Sequence, residues 1–161
     1  MTPTRESRGA FTPEWLVKAP GFKARKIYQA YLTLWNQHME NFITGPQYAV
    51  LAVVEHNPRA DLASVAAAAA VDPSTMSDMV KRLERRELIV RFTSLEDKRV
   101  KLLEITSLGK KALTEARDRE RKLAEHLFND LPLDRRAELM LALKEIEEIW
   151  QRIARDNASS G

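Results

Sequence analysis

Apolar residues recur at steps of three and four along most of this chain, and the places where that rhythm breaks divide it into elements. Between Lys23 and Phe42, the positions Ile27, Tyr31, Leu34, His38 and Phe42 form one stripe and predict a helix over that span. Thr44-Gly45-Pro46-Gln47 follows as a capping box, with Thr44 as N-cap, Gln47 reaching back and proline near the first helical position. The helix it opens is predicted to stop at Asn57-Pro58, because the residue before a proline is pushed out of the helical region. Asp61 is placed to cap a third helix, Leu62 to about Ala70, and Asp72-Pro73 to open a fourth, Pro73 to about Arg86. Two short helices separated by only one or two residues must cross at a large angle, which is helix-turn-helix geometry.

The period then changes. Leu88 to Thr93 and Val100 to Ile105 are β-branched and apolar, and they flank the polar run Ser94 to Arg99, so a hairpin is predicted. Thr106 can cap a fifth helix to about Asn129, and Pro132 to Asp134 opens a sixth ending near Arg155. In that last helix Leu139, Leu143, Ile146, Trp150 and Ile153 recur at four and three, a heptad-like seam suited to another helix. Residues 1–22, broken by Pro3, Pro13 and Pro20, read as a mobile arm whose Phe11 and Trp15 dock elsewhere, and 156–161 as a frayed tail. The expected fold is mainly α with a small β-hairpin wing: a winged helix-turn-helix over 44–106, and a helical region from 23–43 and 107–155.

Composition narrows the chemistry. A chain of 161 residues with 44% hydrophobic and 30% charged positions fits one soluble domain. The Ala-rich stretch Val65 to Val71 is too short for a membrane span, and no apolar block follows Arg5 and Arg8, so no membrane partner is expected and the cytoplasm is. With no cysteine, disulfides, thiolate zinc sites and a cysteine nucleophile are excluded. His38, His56 and His126 do not fall at metal-ligand spacings and the five glycines form no phosphate loop, so no catalytic residue, metal or cofactor is expected. Glu145, Glu147 and Glu148 read as a charged helix face. Net charge is only +3, but from Lys81 to Lys101 eight cations stand against four anions, so the chain's excess sits in the fourth helix and hairpin.

The block Thr44 to Lys111 resembles the MarR (multiple antibiotic resistance regulator) family. The resemblance is carried by Pro46-Gln47-Tyr48-Ala49-Val50-Leu51, Val71-Asp72-Pro73-Ser74-Thr75-Met76-Ser77 and Val80-Lys81-Arg82-Leu83-Glu84-Arg85-Arg86. Glu96-Asp97-Lys98-Arg99 at the hairpin tip, Leu103 to Thr106 and Gly109-Lys110-Lys111 follow in order. The chain departs from the family's pattern at Asp78, where a basic residue is usual, at Ala67, Ala68 and Ala69, where larger residues are usual, and at Glu87, where glycine is usual.

The resemblance implies a homodimer, interlocked through 23–43 and 107–155, that binds a pseudo-palindromic operator in double-stranded DNA. Helix four would lie in the major groove, with Ser74, Thr75 and Ser77 toward base edges and Met76 facing either a thymine methyl or the core. Lys81, Arg82, Arg85 and Arg86 are expected to spread over more than half the helix, some on phosphate, led by Lys81 and Arg82, and others paired with Glu84 or Glu87. Arg91, Lys98 and Arg99 would form the wing, with Arg99 or Lys98 reading the minor groove while Asp97 braces the turn or pairs with an arginine. The aromatic stripe of helix one, Tyr28, Tyr31, Trp35, His38 and Phe42, is more often core packing than a ligand site; by the same resemblance, Arg25 would hold the carboxylate of a small aromatic acid, with Tyr31, Trp35 and His38 lining its pocket. The expected function is a sequence-specific repressor released by an aromatic or phenolic ligand; the alternative is an effector-independent chromosome-binding protein of the same fold.

Overall fold

The computed structural model describes residues 11–40 and 42–158. Two compact units divide the chain, Met1–Glu120 and Arg121–Gly161. The first holds α1 (Glu14–Lys18), α2 (Pro20–Met39), α3 (Gly45–His56), α4 (Leu62–Ala68), α5 (Pro73–Arg85), β1 (Ile89–Thr93) and β2 (Lys101–Ile105). Helix α6 (Ser107–Leu127) begins in the first unit and runs into the second, which also holds α7 (Leu133–Ala158). The chain is mainly helical with one two-stranded antiparallel hairpin, as the hydrophobic pattern predicts. No described helix is long and apolar enough to cross a membrane.

Side-chain caps fix where the central helices begin. Thr44 Oγ1 accepts from the Gln47 amide while Gln47 Oε1 accepts from the Thr44 amide at 3.2 Å, so the capping box is complete. Asp61 accepts from the Ala63 and Ser64 amides, both at 2.9 Å, and Asp72 from the Ser74 amide at 2.8 Å. The helix ends are equally specific. Val71 N donates to Ala66 O at 2.9 Å and Leu88 N to Leu83 O at 3.0 Å, with Ala70 and Glu87 left-handed at φ 52 and 57°. Glu87 thus takes the left-handed conformation a glycine would take without cost. Helix α2 also stops short of the predicted Phe42, because Glu40 turns left-handed at φ 48°.

The buried side of α2 is not the predicted stripe. Trp35 and Met39 are buried, whereas Ile27 is exposed and Tyr31, Leu34 and His38 are only partly covered. Trp35 Nε1 donates to Ile43 O at 2.9 Å, and its ring lies 5.4 Å from that of Tyr48. Helix α5 buries Met76, Met79, Val80 and Leu83, which places Met76 in the core.

The hairpin pairs Ile89 with Ile105 and Thr93 with Lys101. A short third segment, unforeseen in the sequence, flanks it: Arg59 N donates to Leu103 O and Leu103 N to Ala60 O, both at 3.0 Å, and Asp61 bridges Leu102. Thr106 then joins the hairpin to α6. Its hydroxyl donates to Glu87 O at 2.6 Å and accepts from Gly109 N at 2.9 Å. A Cβ on Gly109 would lie 2.0 Å from Leu88 O, so only glycine permits this approach.

In the second unit α7 buries no residue, and most of the predicted seam stays open: Leu143, Ile146, Trp150 and Ile153 are 44–51% exposed, while Leu139 is partly covered. Helix α7 continues through Ala158, so the expected tail is helical at Asp156 to Ala158. Residues 159–161, and the arm's residues 1–10, lie outside the described residues. Within the rest of the arm, Glu14–Lys18 form a short helix, and Phe11 and Trp15 stand exposed.

Candidate nucleic-acid interface

Helix α5 separates into two faces. Opposite the buried Met76, Met79, Val80 and Leu83, the exposed positions after Pro73 are Ser74, Thr75, Asp78, Lys81, Arg82 and Arg85, all within about 120° of arc at 100° per residue. Three of the four cations expected to be scattered therefore share one face. The fourth, Arg86, lies past the helix end and donates to Phe42 O at 2.8 Å, with its guanidinium 5.8 Å from the Phe42 ring. Ser77 is half-buried at the edge of the stripe, and the Ser74 hydroxyl donates back to the Asp72 carboxylate. Asp78 and Lys81 pair at 3.2 Å, and Arg85 Nε donates to Lys81 O at 3.3 Å. Arg82 has no ion-pair partner among the described residues.

The wing is a braced turn. Asp97 accepts from Arg99 N at 2.8 Å and Ser94 Oγ from Glu96 N at 3.2 Å, while Ser94 N donates to Val100 O at 3.0 Å. These bonds turn the acceptors of Ser94 and Asp97 toward the backbone. Lys98 and Arg99 project as exposed cations with no ion-pair partner among the described residues. Arg91 differs from them. Its guanidinium sits 3.1 Å from Glu84, so this pair ties the hairpin to α5, and Glu84 does not neutralise the α5 cations as expected.

Two carboxyls start the helix-turn-helix. A hydrogen bond from the Ser64 hydroxyl, backed by amides of the first turn, holds Asp61 below the usual carboxylate range, and Ser74 does the same for Asp72. Both therefore cap their helices as anions at neutral pH, where the helix dipole favours negative charge.

The predicted effector residues are only partly brought together. Tyr31 and Trp35 rings lie 5.8 Å apart, but the Trp35 indole is committed to the core through Ile43 O. His38 Nδ1 lies 2.9 Å from Leu34 O, and Arg25 stands exposed about 15 Å along α2 from Trp35. The sequence reading missed Tyr48 of α3, whose ring meets Trp35, and Arg117 and Glu120 of α6, of which Arg117 bonds Tyr48 and Glu120 acts electrostatically on both phenols. Burial first, then Glu120, pushes the phenols of Tyr31 and Tyr48 up, while Arg117 offsets this at Tyr48 and pairs with Glu55 at 2.6 Å. Tyr48 stood in the motif that opens α3, where its type signalled only a helix start.

Known proteins share this arrangement. A sequence model of the MarR family matches residues 43–101. The transcriptional regulator HosA of Escherichia coli O127:H6 is 32% identical over 92 residues, covering 57% of this chain and 67% of HosA. The HTH-type transcriptional repressor NicR of Pseudomonas putida is 25% identical over 136 residues, 84% of this chain and 86% of NicR. Among solved structures, the PcaV transcriptional regulator from Streptomyces coelicolor in complex with its natural ligand is 28% identical with a TM-score of 0.77. The match covers 87% of this chain and 98% of PcaV. A shared winged helix, matched in sequence across its core and in fold across nearly the whole of PcaV, makes this chain a member of the MarR family of DNA-binding transcription regulators.

Proposed function

We propose that the chain is a homodimeric repressor that grips a pseudo-palindromic duplex operator with two copies of α5 and the wing. The observation that carries this reading is the exposed α5 stripe, polar at its N-terminal end and cationic at its C-terminal end, beside a braced turn with two cations that have no ion-pair partner among the described residues. Ser74, Thr75 and Ser77 would face base edges, Lys81 and Arg82 phosphates, and Lys98 and Arg99 the minor groove. Arg91 would act through the wing's position, given its bond to Glu84. In this reading 44–106 is the DNA-binding domain, and 23–43 with 107–155 forms the dimer. The exposed apolar seam of α7 supports that division, since a lone chain leaves it in water.

Release by a small aromatic or phenolic acid is the second half of the proposal. The aromatic group of Tyr31, Trp35 and Tyr48 supports it, as does the likeness to PcaV, which was solved with its natural ligand. In this reading Tyr31 and His38, of the four residues singled out in the sequence, would border such a ligand. Arg25 is too distant along α2 for one small acid to touch both it and Trp35. A ligand of this kind acts by population shift: it weakens DNA binding only as far as it prefers the dimer with misplaced recognition helices.

Two experiments test the proposal. Arg99→Ala should weaken binding to a selected operator about tenfold, with a shallower salt dependence; unchanged affinity and slope would remove the wing from the interface. A thermal-shift screen of aromatic acids should raise the melting temperature with at least one compound that also releases the operator. If no acid does both, effector control falls and DNA binding stands.

A further inference from the structure

The α5 stripe holds one residue of the wrong sign for a DNA surface. Asp78 is exposed, its side chain 68% accessible, and at about 100° per residue it falls at the centre of the arc from Lys81 to Thr75. That central line is the part of a recognition helix that points most directly at the groove floor; residues of its N-terminal turn also reach base edges, while farther along the helix the margins of the arc come closer to the phosphate walls. A carboxylate on a margin would be repelled by phosphate. At the centre it meets base edges instead.

We propose that Asp78 is a base-reading residue that accepts a hydrogen bond from the N4 amino group of a cytosine in each operator half-site. The inference rests on the reading of α5 as the groove-binding helix. An ionised carboxylate has only acceptors, and the major groove offers it two donors, cytosine N4 and adenine N6. Adenine sets its N7 acceptor beside N6, where it repels a carboxylate; cytosine carries no acceptor on that side of N4. Cytosine is therefore the preferred partner. The ion pair with Lys81, at 3.2 Å, orients the carboxylate and shields it from neighbouring phosphates, and both groups are exposed enough to adjust on docking.

The chemistry makes a sharp test. Binding sites are selected from a random duplex library with the full-length protein, in parallel with Asp78→Ala and Asp78→Asn, and affinities for every single-base variant of the winning site are then measured. Asp78 is exposed, so circular dichroism and melting temperature should match the parent for both variants. The parent is expected to prefer C·G at one position of each half-site by about tenfold. Asp78→Ala should flatten that position alone. Asp78→Asn should move its preference to A·T, because an amide matches adenine N6 and N7. If both variants keep the parent's preference at every position, or if they gain affinity uniformly with no position altered, Asp78 is only a counter-charge to Lys81 and the inference fails while α5 remains the reader. If the parent selects no sequence even at low salt, the groove-binding reading of α5 falls first and takes this inference with it.

Discussion

In α5 the apolar positions Met76, Met79, Val80 and Leu83 are all buried, while in α7 Leu143, Ile146, Trp150 and Ile153 are about half-exposed and no residue is buried. Both helices alternate apolar and charged positions at steps of three and four. The difference is where the partner lies. Helix α5 finds its apolar partners within its own unit, so its outward stripe is free to be polar and to meet a highly charged ligand. Helix α7 has an apolar seam with no cover among the described residues, and removing such a seam from water is the ordinary driving force for two helices to associate. A contact with DNA and the proposed contact with a second copy call for opposite surfaces, and α5 and α7 present one of each.

The largest effect should follow from breaking the α7 side of this contrast. Ile146→Asp puts a charge in the middle of the seam and should convert a dimer to monomer in analytical ultracentrifugation. Loss of two-site binding should weaken operator affinity by about a hundredfold or more. The circular dichroism of the α5 unit should survive. A variant that remains dimeric would show that the seam is covered by something other than its copy.

On the α5 side, the comparable weak point is the join to α6. Gly109→Ala places a methyl 2.0 Å from Leu88 O, against backbone that has no rotamer to escape into. Overpacking of this kind should cost about 3 kcal/mol, read as a lower denaturant midpoint. An unchanged midpoint would mean that the Thr106 turn can slide, and that the hairpin is not anchored as its hydrogen bonds indicate.

Legibility in the sequence follows the same division. Local chemistry was readable: the Thr44–Gln47 box and the Asp61 and Asp72 caps act within three residues, and each stands where the sequence placed it. The turn-bracing role of Asp97 was readable for the same reason. Contacts between distant segments were not. The Arg91–Glu84 pair, the flanking segment Arg59 to Asp61, and the meeting of Tyr48 with Trp35 of α2 and with Arg117 of α6 depend on how elements stack, which spacing along one element does not encode. The α2 stripe was misplaced by a related failure. The stripe took exposed Ile27 and left out Trp35 and Met39, the residues buried within the chain, so it fell to one side of the face that is covered.

A smaller effect sharpens the contrast by improving α4 and α5 without touching their faces. Ala70 and Glu87 end these helices in the left-handed region, where a side chain costs roughly 1 kcal/mol relative to glycine. Ala70→Gly and Glu87→Gly should each raise stability by up to about that amount in chemical denaturation, less the extra freedom glycine gives the unfolded chain. Because neither position lies on the α5 stripe, operator affinity should not change. A loss of stability at Glu87 would mean that its carboxylate makes a contribution beyond its backbone.

The smallest effect separates the two units by pH. Asp61 and Asp72 have carboxyl pKa values lowered in the folded state, chiefly by the Ser64 and Ser74 hydroxyls that donate to them. A lowered folded value means the anion is favoured by folding, so the stabilisation is fully present above the unfolded pKa, near 4, and is lost as pH falls through the folded value. Acidification below about pH 4 should therefore loosen the starts of α4 and α5 in particular. Amide hydrogen exchange between pH 5 and 3, corrected for the intrinsic rate, reads this locally. The first-turn amides of α4 and α5 should lose protection in the parent chain. In an Asp61→Asn, Asp72→Asn double variant, whose caps cannot titrate, they should lose much less, since asparagine caps a helix about as well as aspartate. The amides of α7 should respond alike in both proteins, because its acidic groups are untouched. If the double variant and the parent follow the same curve at α4 and α5, the two carboxylates do not hold the helix-turn-helix in place, and its geometry rests on the buried Met76, Val80 and Leu83 instead.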